Sequence, residues 1–273
     1  MLEMETALNG ARILLVEDNT FNQQIVLEML EEAGCVVSLA QNGLEALDLL
    51  ATSQFDCVLM DLQMPVMDGL QATRLIRMDP HLQGLRVLAM TGSATSEDRA
   101  LCTAAGMDDF IPKPIQPAQL CQTVARWLPR DTDVGPAVAD PLPAPAPTAI
   151  ASNHPGAIDL AVLDELLSGD AAKVSKFAFK FVQSTRAGLE EMDSALALGN
   201  VQRMRELGHR IKSAARTVGA PGMAALCERL EHLAPGASKV EQAGARAIVA
   251  QLWPLLQQIS EHVMQNATFA GED

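Results

Sequence analysis

The chain has 273 residues, 48% of them hydrophobic and 20% charged, and a net charge of −14. That is too apolar for a disordered chain and long enough for one large domain or two ordinary ones. The charge divides as −9 over residues 1–130, −3 over 131–157 and −2 over 158–273, so no segment is net basic, which argues against nucleic-acid binding by bulk electrostatics. No helix-turn-helix can be placed either. The five cysteines (Cys35, Cys57, Cys102, Cys121 and Cys227) form no CxxC pair and suit reduced thiols in a cytoplasmic protein. No apolar run approaches the ~18 residues of a membrane span. The first residues carry Glu3 and Glu5 in place of a basic region, so neither a secretory signal nor direct membrane insertion is expected.

Residues 11–129 alternate strand and helix. Arg12–Glu17 reads as a buried strand, followed by a helix capped by Asn19 or Thr20 and ended by Gly34. A short strand over Cys35–Ala40 and a helix over Gly43–Thr52 come next. Phe55–Met60 is an apolar strand that stops at Asp61, before a helix from about Gly69 to Met78. A fourth strand, Leu85–Met90, precedes a helix near Ser96–Ala105. Phe110–Ile111 closes a fifth strand, and Pro117–Leu128 is the last helix. Five strands alternating with helices predict a doubly wound α/β fold, a parallel sheet covered on both faces. In such sheets chemistry belongs at the carboxyl ends of the strands.

Residues 131–157 change character. Six prolines and many alanines cannot bury a core and predict an extended, semi-stiff linker. Beyond it, residues 158–267 lack strand-like runs. A short helix is expected at Leu160–Leu167. A long one follows the cap Asp170, with Val174, Phe177, Phe181, Thr185, Leu189, Met192 and Leu196 as its apolar stripe. Three more helices, over about Val201–Val218, from Gly222 to Leu233 and from Lys239 to Gln265, complete an antiparallel four-helix bundle. Residues 268–273 form a tail.

Polar residues stand where the strands end: Glu17 and Asp18 after the first, Asp61 after the third, Thr91 after the fourth and Lys113 after the fifth. Three carboxylates in one pocket repel, and a divalent cation relieves the cost. Hard oxygen donors with room for water and a phosphate oxygen favour magnesium. Lys113 and the Thr91 hydroxyl can bind two phosphoryl oxygens, and Asp61 can act as nucleophile to give an acyl phosphate.

With these residues in place, the first domain (residues 1–130) resembles a response-regulator receiver domain. The resemblance rests on LLVEDNTFNQ, LMDLQMPVMDG, MTGSA and FIPKP, each where that family has it. It implies a flavodoxin-like sheet with Asp61 as phosphoacceptor and Asp18 as direct metal ligand. Glu17 would bind the metal through water, and the backbone carbonyl of Gln63 would complete the set. It further implies Thr91 as switch hydroxyl, Phe110 as the aromatic that changes rotamer with it, Lys113 as the phosphate-binding lysine, and a cis Lys113–Pro114 bond. Asn22–Gln23 makes the stretch most similar to receivers of hybrid sensor kinases. Gly92, where many members have alanine, is a mild departure.

Of the five histidines, His81, His154, His232 and His262 lack special surroundings and read as surface residues. His209 lies roughly 200° around its helix from both Leu207 and Ile211, so it faces away from that helix's apolar stripe. Arg205, Lys212, Ser213 and Arg216 share its side. A neutral imidazole there can attack a phosphoryl group, the cations can hold its oxygens, and the small Ser213 leaves room for an acidic pocket. HRIKSAARTVGAPGMAALCERLE resembles the signature of histidine phosphotransfer (Hpt) domains, in which the histidine is followed three residues later by lysine and ten later by glycine, here Lys212 and Gly219. Serine at position 213, where many members have glycine, is a mild departure.

The two resemblances imply a phosphorelay. An upstream sensor histidine kinase would load Asp61, and His209 would pass the group to a downstream response-regulator receiver. No ATP-binding kinase region is present, so self-phosphorylation from ATP is not expected of this chain, which can be the C-terminal part of a hybrid kinase or stand alone. The competing reading is a binding regulator that uses the bundle as a docking module. A flavin-binding protein of the same topology is disfavoured, because the acidic pocket would repel a flavin phosphate.

Overall fold

A computed structural model describes residues 8–92, 95–128, 157–233 and 239–267. The predicted linker, apart from Ala157, and the tail lie outside the described residues, as does His154. The N-terminal part runs β1 (Arg12–Val16), α1 (Thr20–Glu32), β2 (Val36–Ala40), α2 (Gly43–Thr52), β3 (Cys57–Asp61), α3 (Gly69–Met78), β4 (Arg86–Thr91), α4 (Ser96–Ala105), β5 (Asp109–Pro112) and α5 (Pro117–Trp127). The sheet is parallel, in the order β2-β1-β3-β4-β5.

Two-residue periodicity sorts the strands between the layers. Ile13, Leu15, Cys57, Leu59, Leu88, Met90 and Ile111 point to the side covered by α1 and α5. Leu14, Val16, Val58, Met60, Val87 and Ala89 point to the side of α2, α3 and α4. Strand limits differ from the sequence reading by one or two residues. β3 begins at Cys57, since the Asp56 carboxylate accepts from the Arg12 N–H at 2.7 Å just before the strand, and it includes Asp61, whose backbone stays in register with Met90.

The C-terminal part contains α6 (Leu160–Leu166), α7 (Ala171–Ala197), α8 (Val201–Thr217), α9 (Pro221–Glu231) and α10 (Lys239–Ala267). Asp159, Asp170 and Asn200 cap α6, α7 and α8 by accepting from backbone N–H groups of the first turns. Buried Phe177, Phe181, Leu189, Met192, Leu207, Ile211, Leu230, Leu252, Leu256 and Ile259 build the core of the helical bundle. Gly219 closes α8 at φ +73°, where a Cβ would come within 2.5 Å of the Asp159 carbonyl oxygen, so the glycine seats the α8–α9 turn against the start of α6.

Both parts share one apolar layer. Phe21 at the start of α1 is 3% exposed because it inserts between Phe177 and Phe181 of α7, with ring centroids at 6.2 and 5.8 Å in edge-to-face geometry. The bundle is thereby seated over the carboxyl ends of the strands.

Candidate functional site

Glu17 follows β1, and β3 ends on Asp61. Together with Asp18 they place one carboxylate oxygen each within 4.8 Å of one another. Lys113, just after β5, answers this charge: its Nζ donates to Glu17 Oε2 at 2.6 Å and to Asp61 Oδ2 at 2.7 Å. Glu17 is 1% exposed, and its second oxygen accepts from Asn22 Nδ2 at 3.2 Å. Burial, opposed by Lys113 and reinforced by Asp61 and Asp18, pushes Glu17 up to about 7. Burial and then Asp61 repulsion raise Asp18 above the ordinary carboxylate range, against the pull of His209 and Arg210. Burial acts downward on Lys113, but Asp61 and Glu17 outweigh it and hold the ammonium form. Three hard carboxylates facing one cation are a donor set that fits a small divalent metal ion.

The surrounding loops shape the pocket. Asp68 caps α3 by accepting from Gln71 N–H at 2.7 Å. Gly69 then packs so closely that a Cβ would lie 2.0 Å from the Asp61 carbonyl oxygen. Gln63 donates its N–H to Asp61 Oδ1 at 3.4 Å and, with the buried Thr91, lines the cleft. Phe110 is half-buried beside the sheet, with the Arg99 guanidinium 4.3 Å from its ring centroid. The Lys113–Pro114 bond is cis.

The opposite wall comes from the bundle. Asp18, Asp61, Thr91, Lys113, His209, Arg210, Lys212, Ser213 and Arg216 line one cavity of about 1100 Å³. His209 is turned from the bundle core as its helical position predicts, yet its side chain is only 25% exposed, standing between Glu231 and the cleft at the sheet edge. Two asparagines of α1 join the walls. Asn19, whose Oδ1 caps α1, donates through Nδ2 to the Arg210 carbonyl at 2.7 Å. Asn22 donates to Ser213 Oγ at 2.7 Å while accepting from Thr217 Oγ1 at 3.2 Å. Ser213 therefore makes a bond at the position expected to provide only space.

Glu231 of α9 was not singled out from the sequence. His209 Nδ1 lies 3.0 Å from its Oε1, and Lys212 pairs with its Oε2. Burial acts upward on Glu231, but the bonds from His209 and Lys212 outweigh it and hold the carboxyl below its ordinary range. Arg216 pairs with Glu228, also on α9, at 3.0 Å, and Arg205 Nε donates to the Glu231 carbonyl at 2.9 Å. The cations around His209 are thus already engaged by α9. Reading α8 alone could not show this; the available signal was the pair Glu228 and Glu231, one turn apart on the next helix. Gly219 does not approach the cleft; its part is the turn that follows α8.

Residues 13–125 match the response regulator receiver domain family and residues 177–265 the Hpt domain family. Among curated relatives, the sensor histidine kinase GacS of Pseudomonas protegens is 32% identical over 265 residues, 94% of this chain and 27% of that protein. The signal transduction histidine-protein kinase BarA of Escherichia coli K12 is 28% identical over 232 residues, 84% of this chain and 24% of that protein. The chain spans about a quarter of the length of these relatives. Among solved structures, the receiver domain of a Pseudomonas aeruginosa sensor histidine kinase, with a magnesium ion coordinated in its active-site cleft, is 39% identical. That match covers 43% of this chain and 97% of the other, with a TM-score of 0.42.

Proposed function

Because the chain belongs to the phosphorelay proteins, joining a response-regulator receiver domain to an Hpt domain, we propose that it relays a phosphoryl group between Asp61 and His209. The observation that carries this reading is that the acidic pocket and His209 line a single cleft. A histidine kinase would load Asp61. The group would then leave from His209 to the receiver domain of a downstream response regulator.

The chemistry follows from the contacts. The Asp61 carboxylate attacks phosphorus in the donor, and Lys113, already 2.7 Å from Asp61 Oδ2, is placed to neutralise charge on the phosphoryl oxygens. The Thr91 hydroxyl would hold a second oxygen, with Phe110 following it as the bond forms. In the second transfer the lone pair on His209 Nε2 attacks phosphorus. The P–O bond to Asp61 breaks, and its electron pair returns to the carboxylate. Glu231 Oε1, 3.0 Å from Nδ1 at the far side of the ring, would favour the tautomer with Nε2 free and stabilise the positive charge the ring gains. Asp18, Asp61, the Gln63 carbonyl and, through water, Glu17 would hold magnesium, which when bound neutralises phosphoryl charge. Lys212 and Arg216 would exchange their α9 carboxylates for phosphoryl oxygens. Among the described residues no helix is long and apolar enough to cross a membrane, and a relay fed by an ATP-using kinase belongs in the cytoplasm.

The test is phosphotransfer from a purified histidine kinase, radiolabelled ATP and magnesium to the wild-type chain, Asp61→Asn and His209→Gln. Wild type should gain acid-labile, alkali-stable label that both substitutions abolish. Label that never leaves Asp61 would replace the relay with a regulator whose bundle only docks.

A further inference from the structure

Away from the cleft, α1 and α7 meet along a second contact. Gln24, Glu28 and Glu32 form a row on α1 at steps of four, and Lys173, Lys176 and Lys180 form one on α7 at steps of three and four. Lys173 Nζ lies 2.9 Å from Glu28 Oε1 and pairs with Glu32. Lys176 Nζ is 3.7 Å from Glu28 Oε2, and Lys180 donates to Gln24 Oε1 at 2.8 Å. The rows run in opposite directions and are complementary throughout: α1 contains no basic residue, and the first ten residues of α7 contain no acidic one. Beneath them sits the Phe21–Phe177–Phe181 seam, and the ammonium groups of Lys176 and Lys180 each lie 5.4 Å from the Phe177 centroid. The contact therefore has an aromatic centre and a charged rim.

The two parts of this contact act differently. An aromatic seam accepts any receiver with a large apolar residue at the start of its first helix. Exposed ion pairs add little affinity, but like charges forced together are strongly unfavourable, so the rim discriminates among partners. Resting on the relay reading, we propose that the Lys173, Lys176 and Lys180 row is the specificity determinant of the bundle. It admits to His209 those receivers whose first helix carries carboxylates in the places of Glu28 and Glu32. The chain's own receiver meets this requirement and occupies the row. A downstream receiver must carry the same acidic row and displace the tethered domain.

The full-length chain supplies the test. Acetyl phosphate with magnesium loads Asp61 without a kinase: the carboxylate attacks phosphorus, and acetate leaves with the electron pair of the broken P–O bond. Alkali-labile label on Asp61 and alkali-stable label on His209 are followed separately in wild type, K173E/K176E, E28K/E32K and the chain carrying all four changes. Either one-sided reversal should slow the appearance of His209 label on the order of tenfold at low salt. The deficit should shrink in molar salt, where the screening length falls to about 3 Å. The fourfold exchange should restore most of the rate, which misfolded variants could not do. Wild-type rates in both one-sided reversals, or no recovery in the fourfold variant, would overturn the proposal. Wild type that holds label on Asp61 and never on His209 would instead remove the relay reading, and the proposal with it.

Discussion

Replacing Glu17 by Gln probes the charge balance of the pocket with little change in shape. Glu17 is held at about 7 in the folded chain against 4.5 for a free glutamate. At about 1.4 kcal/mol per pH unit, ionising it in the folded state costs about 3 kcal/mol. Between pH 4.5 and 7 the folded chain keeps a proton that the unfolded chain has released. Stability therefore falls as pH rises through this window, and the full loss is reached above 7. Glu17→Gln has no such proton, while Asp18 and Asp61 remain in both proteins, so the difference between the two curves reports Glu17 together with its repulsion of those two carboxylates. Urea unfolding in chelator at about pH 5, 6, 7 and 8 should show Glu17→Gln gaining up to about 3 kcal/mol on wild type across the series. Magnesium at about a hundred times its dissociation constant should return about 2.7 kcal/mol to wild type, with the larger gain at the higher pH, where protons compete less. Parallel pH curves for the two proteins in chelator would refute the reasoning.

Phe21→Ala removes a buried ring shared by the receiver and the bundle. At about 3–5 kcal/mol for such a truncation, the docked arrangement should open, and the radius of gyration from small-angle scattering should rise; an unchanged radius would show that the aromatic seam does not hold the parts together. Glu231→Gln withdraws the carboxylate from His209 Nδ1 and from Lys212. Labelling of His209 should slow about tenfold or more while Asp61 still takes up label, and equal rates would remove Glu231 from the transfer step. Gly69→Ala sets a methyl group 2.0 Å from the Asp61 carbonyl oxygen. Thermal unfolding should register a loss of about 1–3 kcal/mol, and a stable variant with normal Asp61 labelling would show that the α3 start can shift freely.

The sheet and the bundle were legible in the sequence because each is encoded at short range. The continuous apolar runs in RILLV and CVLMD, the stripe from Phe177 to Met192, and the caps Asn19 and Asp170 act within a few positions of where they sit. Glu17, Asp18, Asp61, Thr91 and Lys113 could be grouped because a parallel sheet brings strand ends to one edge, whatever the details of packing. His209 could be placed on the outer face of its helix by angle alone. What covers that face could not. Asn19 meets Arg210 and Asn22 meets Ser213 across 191 positions, and Phe21 reads locally as one more apolar residue at a helix start. The partners of Lys212 and Arg216 stand on a neighbouring helix, and those of Lys173 on the other domain. Such contacts have no periodicity to announce them. They exist only once two separately formed surfaces are brought together, so tertiary structure alone decided that the histidine faces its own chain's acidic pocket.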